Sequence, residues 1–326
     1  MHPSTMPDST VLPSVASPSR VPLVTIVALC HNHAPFLRPA LDSLLAQEYP
    51  KLEVWLVDDA STDGSQAILR EYAAAQPQWH TLFLPENVGN CRAFNAAFRQ
   101  SRGEYLIDFA TDDVLLPGRV SQQVAAMQTA DARVGVLYTN CELIDEAGQS
   151  LGLHHRPDGR GGLLPPPASG WVFADVLRRY FISTPTMLMR RACLQELGGY
   201  DEQLSYEDFD FWVRASRRWQ FLYLDEVTTQ KRKHPRSMSA RAYRRHDPYL
   251  ASTIVVCEKA LALCRSPEER QALAVRLRWE LRQALRYRHF AQARQLYLLL
   301  KTTGYVRITD YGMGMVSDVF RKIVKN

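Results

Sequence analysis

Three pairs of acidic residues, far apart in the chain, offer carboxylates for ligand binding and proton transfer. They are Asp58 with Asp59, Asp112 with Asp113, and Glu207 with Asp208. A carboxylate accepts hydrogen bonds from a nucleobase N–H or from ribose hydroxyls. Adjacent carboxylates also suit a hard divalent cation, which prefers oxygen ligands and shares them with substrate phosphates. A positioned carboxylate can act as a general base towards a hydroxyl group.

Each acidic pair also has an ordinary structural explanation. Asp favours turns and strand ends, and acidic residues in the first turn of a helix suit the helix dipole. Our interpretation of the set as one site gives each pair a role. Asp58 and Asp59 would bind the nucleoside of a ligand, Asp112 and Asp113 would bind a metal and its diphosphate, and Asp208 would be the base.

Basic residues in the second half of the chain complement these carboxylates. Arg232 is a candidate for stabilising a departing diphosphate, and His234 for the same task or for metal ligation. A plain surface role for His234 is equally consistent with the sequence. Residues 214–245 hold ten Lys or Arg against two acidic residues, and residues 265–326 hold thirteen against five, so each segment carries +8 while the whole chain carries +5. Such charge suits a phosphate-bearing ligand, an anionic membrane surface or nucleic acid.

The segments that must position these residues alternate between strand and helix patterns. Apolar runs at 23–29, 52–57, 81–84 and 105–109 read as buried strands, and helical periodicity occupies 35–47, 65–75 and 93–101. This alternation predicts an α/β fold with a mostly parallel sheet flanked by helices. Ligands bind beyond the carboxyl ends of the strands in such sheets. The pairs at 58–59 and 112–113 fall at two of those ends.

The later part of the chain does not continue this regular alternation of strands and helices. Residues 134–142 read as a strand, 154–170 as a flexible Gly- and Pro-rich loop, and 171–179, 191–197 and 207–217 as helices. The last seventy residues read as helical, with a capping box at Ser266–Glu269. We therefore predict a disordered segment at 1–20, a catalytic domain at 21–247 and a helical extension at 248–326.

The final helix pattern has two interpretations. Val316, Val319, Phe320, Ile323 and Val324 share one face, with Arg321, Lys322 and Lys325 beside them. The helix would lie in a membrane interface or pack on the protein core, and the pattern slightly favours packing.

Composition and cysteine usage indicate where the protein works. With 46% hydrophobic residues, the 326-residue chain can bury a normal core. The six cysteines form no CxxC pair, which favours reduced thiols in a cytosolic protein. The apolar run after Arg20 is too short for a membrane span. We predict a cytoplasmic protein, and the basic C-terminal region adds peripheral contact with the inner membrane face as an option.

Taken together, the motifs resemble those of glycosyltransferase family 2, in that family's order over residues 22–235. The segments that carry the resemblance are Val24-Thr25-Ile26-Val27 with Cys30-His31-Asn32-His33, Val57-Asp58-Asp59-Ala60-Ser61-Thr62-Asp63-Gly64, Asn87-Val88-Gly89, Thr111-Asp112-Asp113, and Gly198-Gly199-Tyr200-Asp201-Glu202 with Glu207-Asp208-Phe209-Asp210-Phe211-Trp212. Two positions depart from the usual pattern. Ala110 stands where a further Asp is frequent, and Ala97 where Gly is usual.

The resemblance implies a GT-A fold, which is Rossmann-like, and an inverting transfer from a nucleoside-diphosphate sugar, often a UDP-sugar. It implies Mn²⁺ or Mg²⁺ as cofactor, a glycan or lipid-linked hydroxyl as acceptor, and a role in cell-surface polysaccharide, O-antigen or glycolipid assembly. It carries donor binding to His31, Asn32, Asp58, Asp59, Asn87, Asp112 and Arg232, metal binding to Asp112, Asp113 and His234, and catalysis to Asp208.

Two other classes of function compete with this interpretation. Ala110 motivates the first, a nucleotide-sugar-binding or scaffold protein whose catalysis is weakened. The second is a nucleotidyltransferase or another phosphoryl-handling enzyme, because acidic strand ends serve those enzymes too. The chain lacks a GxxxxGK[ST] loop, which counts against the second class. Only the positive charge favours a nucleic-acid partner, and we predict none.

Overall fold

The structure is a computed structural model that describes the backbone of residues 20–325 and the side chains of residues 20–319. The disordered segment predicted at 1–20 lies, except for Arg20, outside the described residues. The first part of the chain alternates strands and helices as predicted. Its elements are β1 (Val24–Cys30), α1 (Ala34–Leu45), β2 (Leu52–Asp58), α2 (Ser65–Ala75), β3 (His80–Phe83), α3 (Asn90–Gln100) and β4 (Tyr105–Ala110).

The middle of the chain has shorter elements. They are β5 (Val114–Leu115), α4 (Arg119–Thr129), β6 (Val134–Ile144), β7 (Ser150–Leu153), β8 (Arg156–Pro157), β9 (Leu163–Leu164), α5 (Phe173–Arg178), a 3₁₀ turn (Thr184–Thr186), β10 (Leu188–Arg190), α6 (Arg191–Leu197), α7 (Asp208–Ser216), β11 (Gln220–Arg232) and α8 (Met238–Arg241). The three predicted helices of this region correspond to α5, α6 and α7.

Nine strands form one mixed sheet. Eight follow the order β3-β2-β1-β4-β10-β6-β11-β5, and β7 pairs with β6. The first four are parallel, so β1, β2 and β4 end at the same edge. The short β10 runs antiparallel to both β4 and β6, and β11 then runs parallel to β6. The predicted α/β class is confirmed, and its parallel part is the N-terminal half of the sheet.

Helices cover both faces of the sheet, which explains why β1 is buried along its whole length. Apolar residues of α1, α2 and α4 form a core on one face. A larger core on the other face includes residues of α3, α5, α6 and α7 and of the C-terminal helices. The carboxyl ends of β1, β2 and β4 are thus held in a rigid frame.

Four helices end the chain and pack on the second core. They are α9 (Leu250–Leu263), α10 (Pro267–Arg286), α11 (Phe290–Thr302) and α12 (Ile308–Lys325). The predicted capping box is present, because Ser266 Oγ accepts from the Glu269 N–H at 3.2 Å and the Glu269 side chain accepts from the Ser266 N–H. None of the helices described between residues 20 and 325 has the length and apolarity that crossing a bilayer would require.

The prediction of a flexible loop at residues 154–170 is wrong in part. Strands β8 and β9 pair there as a small hairpin. His155 is buried and exchanges two hydrogen bonds with the Asn140 side chain, at 2.7 and 2.8 Å. The Gly and Pro residues that suggested flexibility form the turns, and one buried polar pair ties the segment to β6.

Candidate functional site

Asp58 ends strand β2 and is completely buried. Its Oδ2 accepts hydrogen bonds from the Ser61 N–H at 3.0 Å and from Gln66 Nε2 at 2.7 Å. Its Oδ1 is buried and has no hydrogen-bond partner among the residues that the structure describes. A buried polar atom without a partner is costly, so this oxygen is available to a ligand donor.

Asp59 holds the loop that follows β3. Its two oxygens accept from the backbone N–H groups of Val88 at 2.7 Å and Gly89 at 2.9 Å. The carbonyl oxygen of Asp59 lies 2.7 Å from His31 Nδ1, and the Asn87 amide lies 3.0 Å from His31 Nε2. Three of the predicted donor-binding residues, His31, Asp59 and Asn87, therefore form one hydrogen-bonded group at the sheet edge.

The loop after β1 joins this group to the next strand end. Asn32 has a left-handed backbone (φ 59°), which Asn tolerates better than most residues. Its Oδ1 accepts from the Thr62 N–H at 2.7 Å. The neighbouring His33 Nδ1 lies 3.0 Å from Thr111 Oγ1, directly before the second acidic pair. Burial lowers the pKa of His33, so its imidazole is neutral at neutral pH.

Asp112 and Asp113 lie just beyond the end of β4. Asp112 Oδ2 is 3.0 Å from His234 Nε2. Burial alone would raise the pKa of Asp112, but the hydrogen bond with His234 and the proximity of His33 bring it below its ordinary value. Burial, and then the charge of Asp112, raise the pKa of Asp113 to about 8. Two buried carboxyls side by side therefore share a site in which only one is readily charged.

Arg232 is held by the protein itself. Its backbone N–H donates to Asp113 Oδ1 at 2.7 Å, and its guanidinium donates to the carbonyl oxygens of Asp112, Asp145 and Glu146 at 2.8–3.2 Å. The guanidinium also lies over the Phe36 ring, 4.9 Å from its centroid. The role predicted for Arg232 in donor binding stays a prediction, and its contacts in the structure position the second acidic pair.

Asp208 begins helix α7, and Thr184 Oγ1 donates to its Oδ2 at 3.2 Å. Burial raises the pKa of Asp208, while nearby Lys231 and Arg276 oppose the rise. Burial, followed by the charges of Asp108 and Asp208, raises the pKa of the adjacent Glu207 to about 8. At neutral pH Glu207 therefore keeps its proton.

Indirect contacts connect the three acidic pairs. Asp59 accepts from the N–H of Gly89, and the side chain of the next residue, Asn90, is close enough to the Glu207 carboxyl to lower its pKa. This links the first pair to the third in two steps. The Lys231 ammonium lowers the pKa of both Asp113 and Asp208, so it lies within electrostatic reach of the second and third pairs.

Lys231 and Asp108 belong to this region and are not among the predicted site residues. The backbone of Lys231 pairs with β6, while its side chain makes no hydrogen bond or ion pair with residues 20–319. Asp108 lies within β4, its Oδ2 accepts from the Tyr200 hydroxyl at 3.0 Å, and burial raises its pKa to about 7. A charged residue inside an apolar strand run was a usable signal for Asp108, because a buried charge needs a partner or a function.

The mixed sheet, with acidic residues beyond the ends of β2 and β4, agrees with the GT-A fold that the sequence predicts. Residues 25–197, more than half of the chain, match the model of glycosyl transferase family 2. The chain belongs to this family and is a glycosyltransferase.

Relatives and solved structures agree with that assignment. An uncharacterized glycosyltransferase of Rickettsia typhi is 29% identical over 231 residues, which cover 71% of this chain and 70% of the relative. TuaG of Bacillus subtilis, named as a putative teichuronic acid biosynthesis glycosyltransferase, is 31% identical over 130 residues, 40% of this chain and 51% of TuaG. The chain thus spans about half of TuaG.

Two solved structures share the fold over almost the whole chain. TarS of S. aureus in complex with UDP-GlcNAc superposes with a TM-score of 0.62 and 18% identity, covering 92% of both chains. The mannosyltransferase PcManGT of Pyrobaculum calidifontis in complex with GDP-Man and Mn²⁺ has a TM-score of 0.55 and 21% identity, covering 94% of this chain and 87% of PcManGT. At these identities the likeness shows the fold.

Proposed function

We propose that the protein is an inverting glycosyltransferase that moves a sugar from a nucleoside-diphosphate donor, preferably a UDP-sugar, to a hydroxyl group of a glycan or lipid-linked acceptor. The observation that carries the proposal is the position of Asp208. This partly buried carboxyl lies within electrostatic reach of Lys231, which also reaches Asp113, and the adjacent Glu207 lies close to Asn90, which follows the loop that Asp59 holds. We propose that one donor molecule touches all three pairs.

The nucleoside end of the donor would lie against the group around Asp58. Its free Oδ1 suits a base N–H or a ribose hydroxyl. His31, Asn32 and Asn87 surround the same edge and add an imidazole and two amides. The structural neighbours bind UDP-GlcNAc and GDP-Man, which supports a nucleotide-sugar donor here. Because these two donors carry different nucleobases, the nucleobase has to be identified by experiment.

No group of three or more His, Cys, Asp or Glu side chains is arranged to hold a metal ion among the described residues, so we propose a divalent cation that the second pair binds only together with the donor diphosphate. His234 Nδ1 is buried and has no hydrogen-bond partner in the described part of the chain, and Asp112 presents a carboxylate to the same imidazole. Asp112, Asp113 and His234 would hold the ion, with the donor diphosphate completing its ligands. Bound Mn²⁺ or Mg²⁺ would neutralise charge that develops on the diphosphate as it leaves.

Among the residues of the proposed site, Asp208 is the one that we propose takes the proton of the acceptor hydroxyl. Glu207 keeps its proton at neutral pH, whereas Lys231 and Arg276 favour the ionised form of Asp208. The Asp208 carboxylate would accept the proton of the acceptor hydroxyl as that oxygen bonds to the anomeric carbon. The bond from the anomeric carbon to the diphosphate oxygen breaks on the opposite face, so the configuration inverts.

Lys231 would act on both the leaving diphosphate and the proposed base, Asp208. Its ammonium makes no hydrogen bond or ion pair within residues 20–319, so a charged oxygen of the donor would find it unpaired there. The negative charge on the diphosphate grows as its bond to the sugar breaks. A cation there therefore stabilises the transition state more than the bound donor. It also opposes the rise in the pKa of Asp208 that burial causes.

The test is a turnover assay on the purified full chain with nucleoside-diphosphate sugars, with Mn²⁺ and with EDTA. We expect the release of nucleoside diphosphate with one donor, loss of release in EDTA, and an acceptor product whose anomeric configuration, read by NMR, is inverted. Donor binding without turnover, detected as a thermal shift, would support the scaffold alternative. A retained configuration would refute the role of Asp208.

A further inference from the structure

One face of helix α12 packs against the protein, and another face is exposed. Asp310 and Ser317 lie on the buried face, where Asp310 forms an ion pair with Arg278 at 2.9 Å. A Cβ at Gly314 would stand 2.6 Å from the Tyr297 ring, so the helix approaches α11 closely there. The stripe that the sequence slightly favoured for packing is not the packed one, because Val316 and Val319 are exposed by 42% and 54%. Phe320, Ile323 and Val324 lie outside the side chains that the structure describes.

The opposite face is apolar and open to solvent. Ile308, Tyr311, Met315 and Val319 are exposed by 91%, 51%, 65% and 54%. Their spacing of three, four and four residues places them on one helical face. Gly312 lies on the same face, and a Cβ there would have no neighbour within 4 Å. At about 1.5 Å per residue, the exposed face is about 16 Å long. We call these five residues the α12 face.

The C-terminal segment that carries the α12 face is positively charged, with thirteen Lys or Arg against five acidic residues in residues 265–326. Three of the acidic residues in this segment form ion pairs with neighbouring arginines. Glu280 pairs with Arg276, Asp310 with Arg278, and Asp318 with Arg294. The surplus cations are exposed and form no ion pair within residues 20–319; they include Arg282, Arg286, Arg288, Lys301 and Arg307. The sequence after Val319 adds Arg321, Lys322 and Lys325.

We propose that the α12 face binds the surface of an anionic lipid bilayer. An apolar helix face bordered by cations is the combination that interfacial binding requires, because apolar side chains enter the headgroup boundary while cations attract acidic lipids. A second copy of the chain is a poorer occupant. In a symmetric dimer the same surface meets itself, so the basic border would face its own positive charge.

The α12 face is connected to the proposed catalytic cleft through a single helix. Arg278 of α10 holds Asp310 of α12, and Arg276, two positions earlier, lies 3.9 Å from the Tyr180 ring centroid and lowers the pKa of Asp208. A bilayer that docks on α12 is thus separated from the cleft by one element. The docking proposal itself does not depend on the glycosyl transfer proposed above.

The experiment is co-sedimentation of the full chain with vesicles of equal parts phosphatidylglycerol and phosphatidylcholine. We expect binding that weakens as salt is raised, and little binding to phosphatidylcholine alone. The double variant Met315→Glu with Val319→Glu should bind at least about tenfold more weakly, because both Glu side chains would have to enter the bilayer interface. The matched control Val255→Glu with Leu298→Glu makes the same charge change at exposed apolar positions of α9 and α11 and should bind as the unchanged protein does.

A measurement on the unchanged protein keeps the proposal testable if the α12 variant folds poorly. Hydrogen exchange in peptides that cover residues 308–319 should slow when anionic vesicles are added. The proposal is overturned if the unchanged protein does not bind anionic vesicles, or if both double variants bind these vesicles equally well. It is also overturned if gel filtration shows a dimer that only the α12 variant dissociates while vesicles are not bound.

Discussion

Replacing Asp208 by Asn is the perturbation that isolates the proposed base. Asn has the same shape, can still accept the Thr184 hydrogen bond and cannot take a proton from a hydroxyl. The rest of the cleft, including the groups around Asp58 and Asp112, keeps its contacts. We therefore expect the variant to bind donor as the unchanged enzyme does and to fail at transfer.

The expected loss follows from the chemistry that disappears. General base catalysis contributes about 10²- to 10⁴-fold in rate, which corresponds to about 3–5 kcal/mol of activation free energy. Because the group acts only as the acceptor attacks, kcat should fall while the donor KM changes little.

The same substitution should not destabilise the protein at neutral pH. Burial raises the pKa of Asp208 in the folded state, so the folded protein binds this proton more tightly than the unfolded chain. The charged form therefore costs stability above the ordinary Asp pKa, and that cost disappears as the pH falls below it. We expect the melting temperature of the Asn variant to equal or exceed that of the unchanged protein at pH 7.5.

The assay combines steady-state transfer with calorimetric donor titration. Asp201→Asn is the matched control, because it makes the same chemical change at a half-exposed residue that pairs with Lys259. The control should keep transfer within a few-fold. Near-normal transfer by Asp208→Asn, or equal losses in both variants, would refute the reasoning.

Three further predictions concern the pH dependence of transfer and the stability of α10. Lys231→Met should lower kcat at pH 7 and move the acidic limb of the pH–rate profile upwards, because the Lys231 charge lowers the pKa of Asp208; Lys231→Arg should restore both, and an unmoved limb would count against Lys231. Glu207→Gln should keep most activity at pH 7, where Glu207 is protonated, and abolish any decline of rate near pH 8, where Glu207 ionises; a large loss at pH 7 would show that the carboxyl group itself is needed. Ser266→Ala should lower the free energy of unfolding by about 1 kcal/mol in urea titrations, because the hydrogen bond to the Glu269 N–H is lost, whereas unchanged stability would mean that water replaces the cap.

The parallel half of the fold could be predicted because its strands carry strong local signals. Strands β1, β2 and β4 are apolar runs separated by helices of clear periodicity, and the sheet buries them on both faces. Strand β10 carries no such signal, since it has only three residues and pairs with strands distant in sequence. Its insertion between β4 and β6 is what makes the sheet mixed.

The sequence locates the acidic pairs and names Arg232 and His234, but it does not point to Lys231. The acidic pairs fall at strand ends and a helix start, which local patterns locate. The face on which a residue of β11 lies depends on its register with β6, and that pairing contains shifts between Leu224 and Val227 and between Val227 and Thr229. Alternation alone therefore could not indicate that Lys231 reaches Asp113 and Asp208 while Arg232 turns to Phe36.

Anomalous diffraction from crystals grown with Mn²⁺ and a nucleoside-diphosphate sugar would test most directly whether the three acidic pairs share one donor. We predict a manganese peak at about 2.0–2.6 Å from Asp112 or His234 ligand atoms, with the nucleoside against Asp58 and the sugar between the metal and Asp208. A donor bound elsewhere, or a metal that contacts neither Asp112 nor His234, would contradict it.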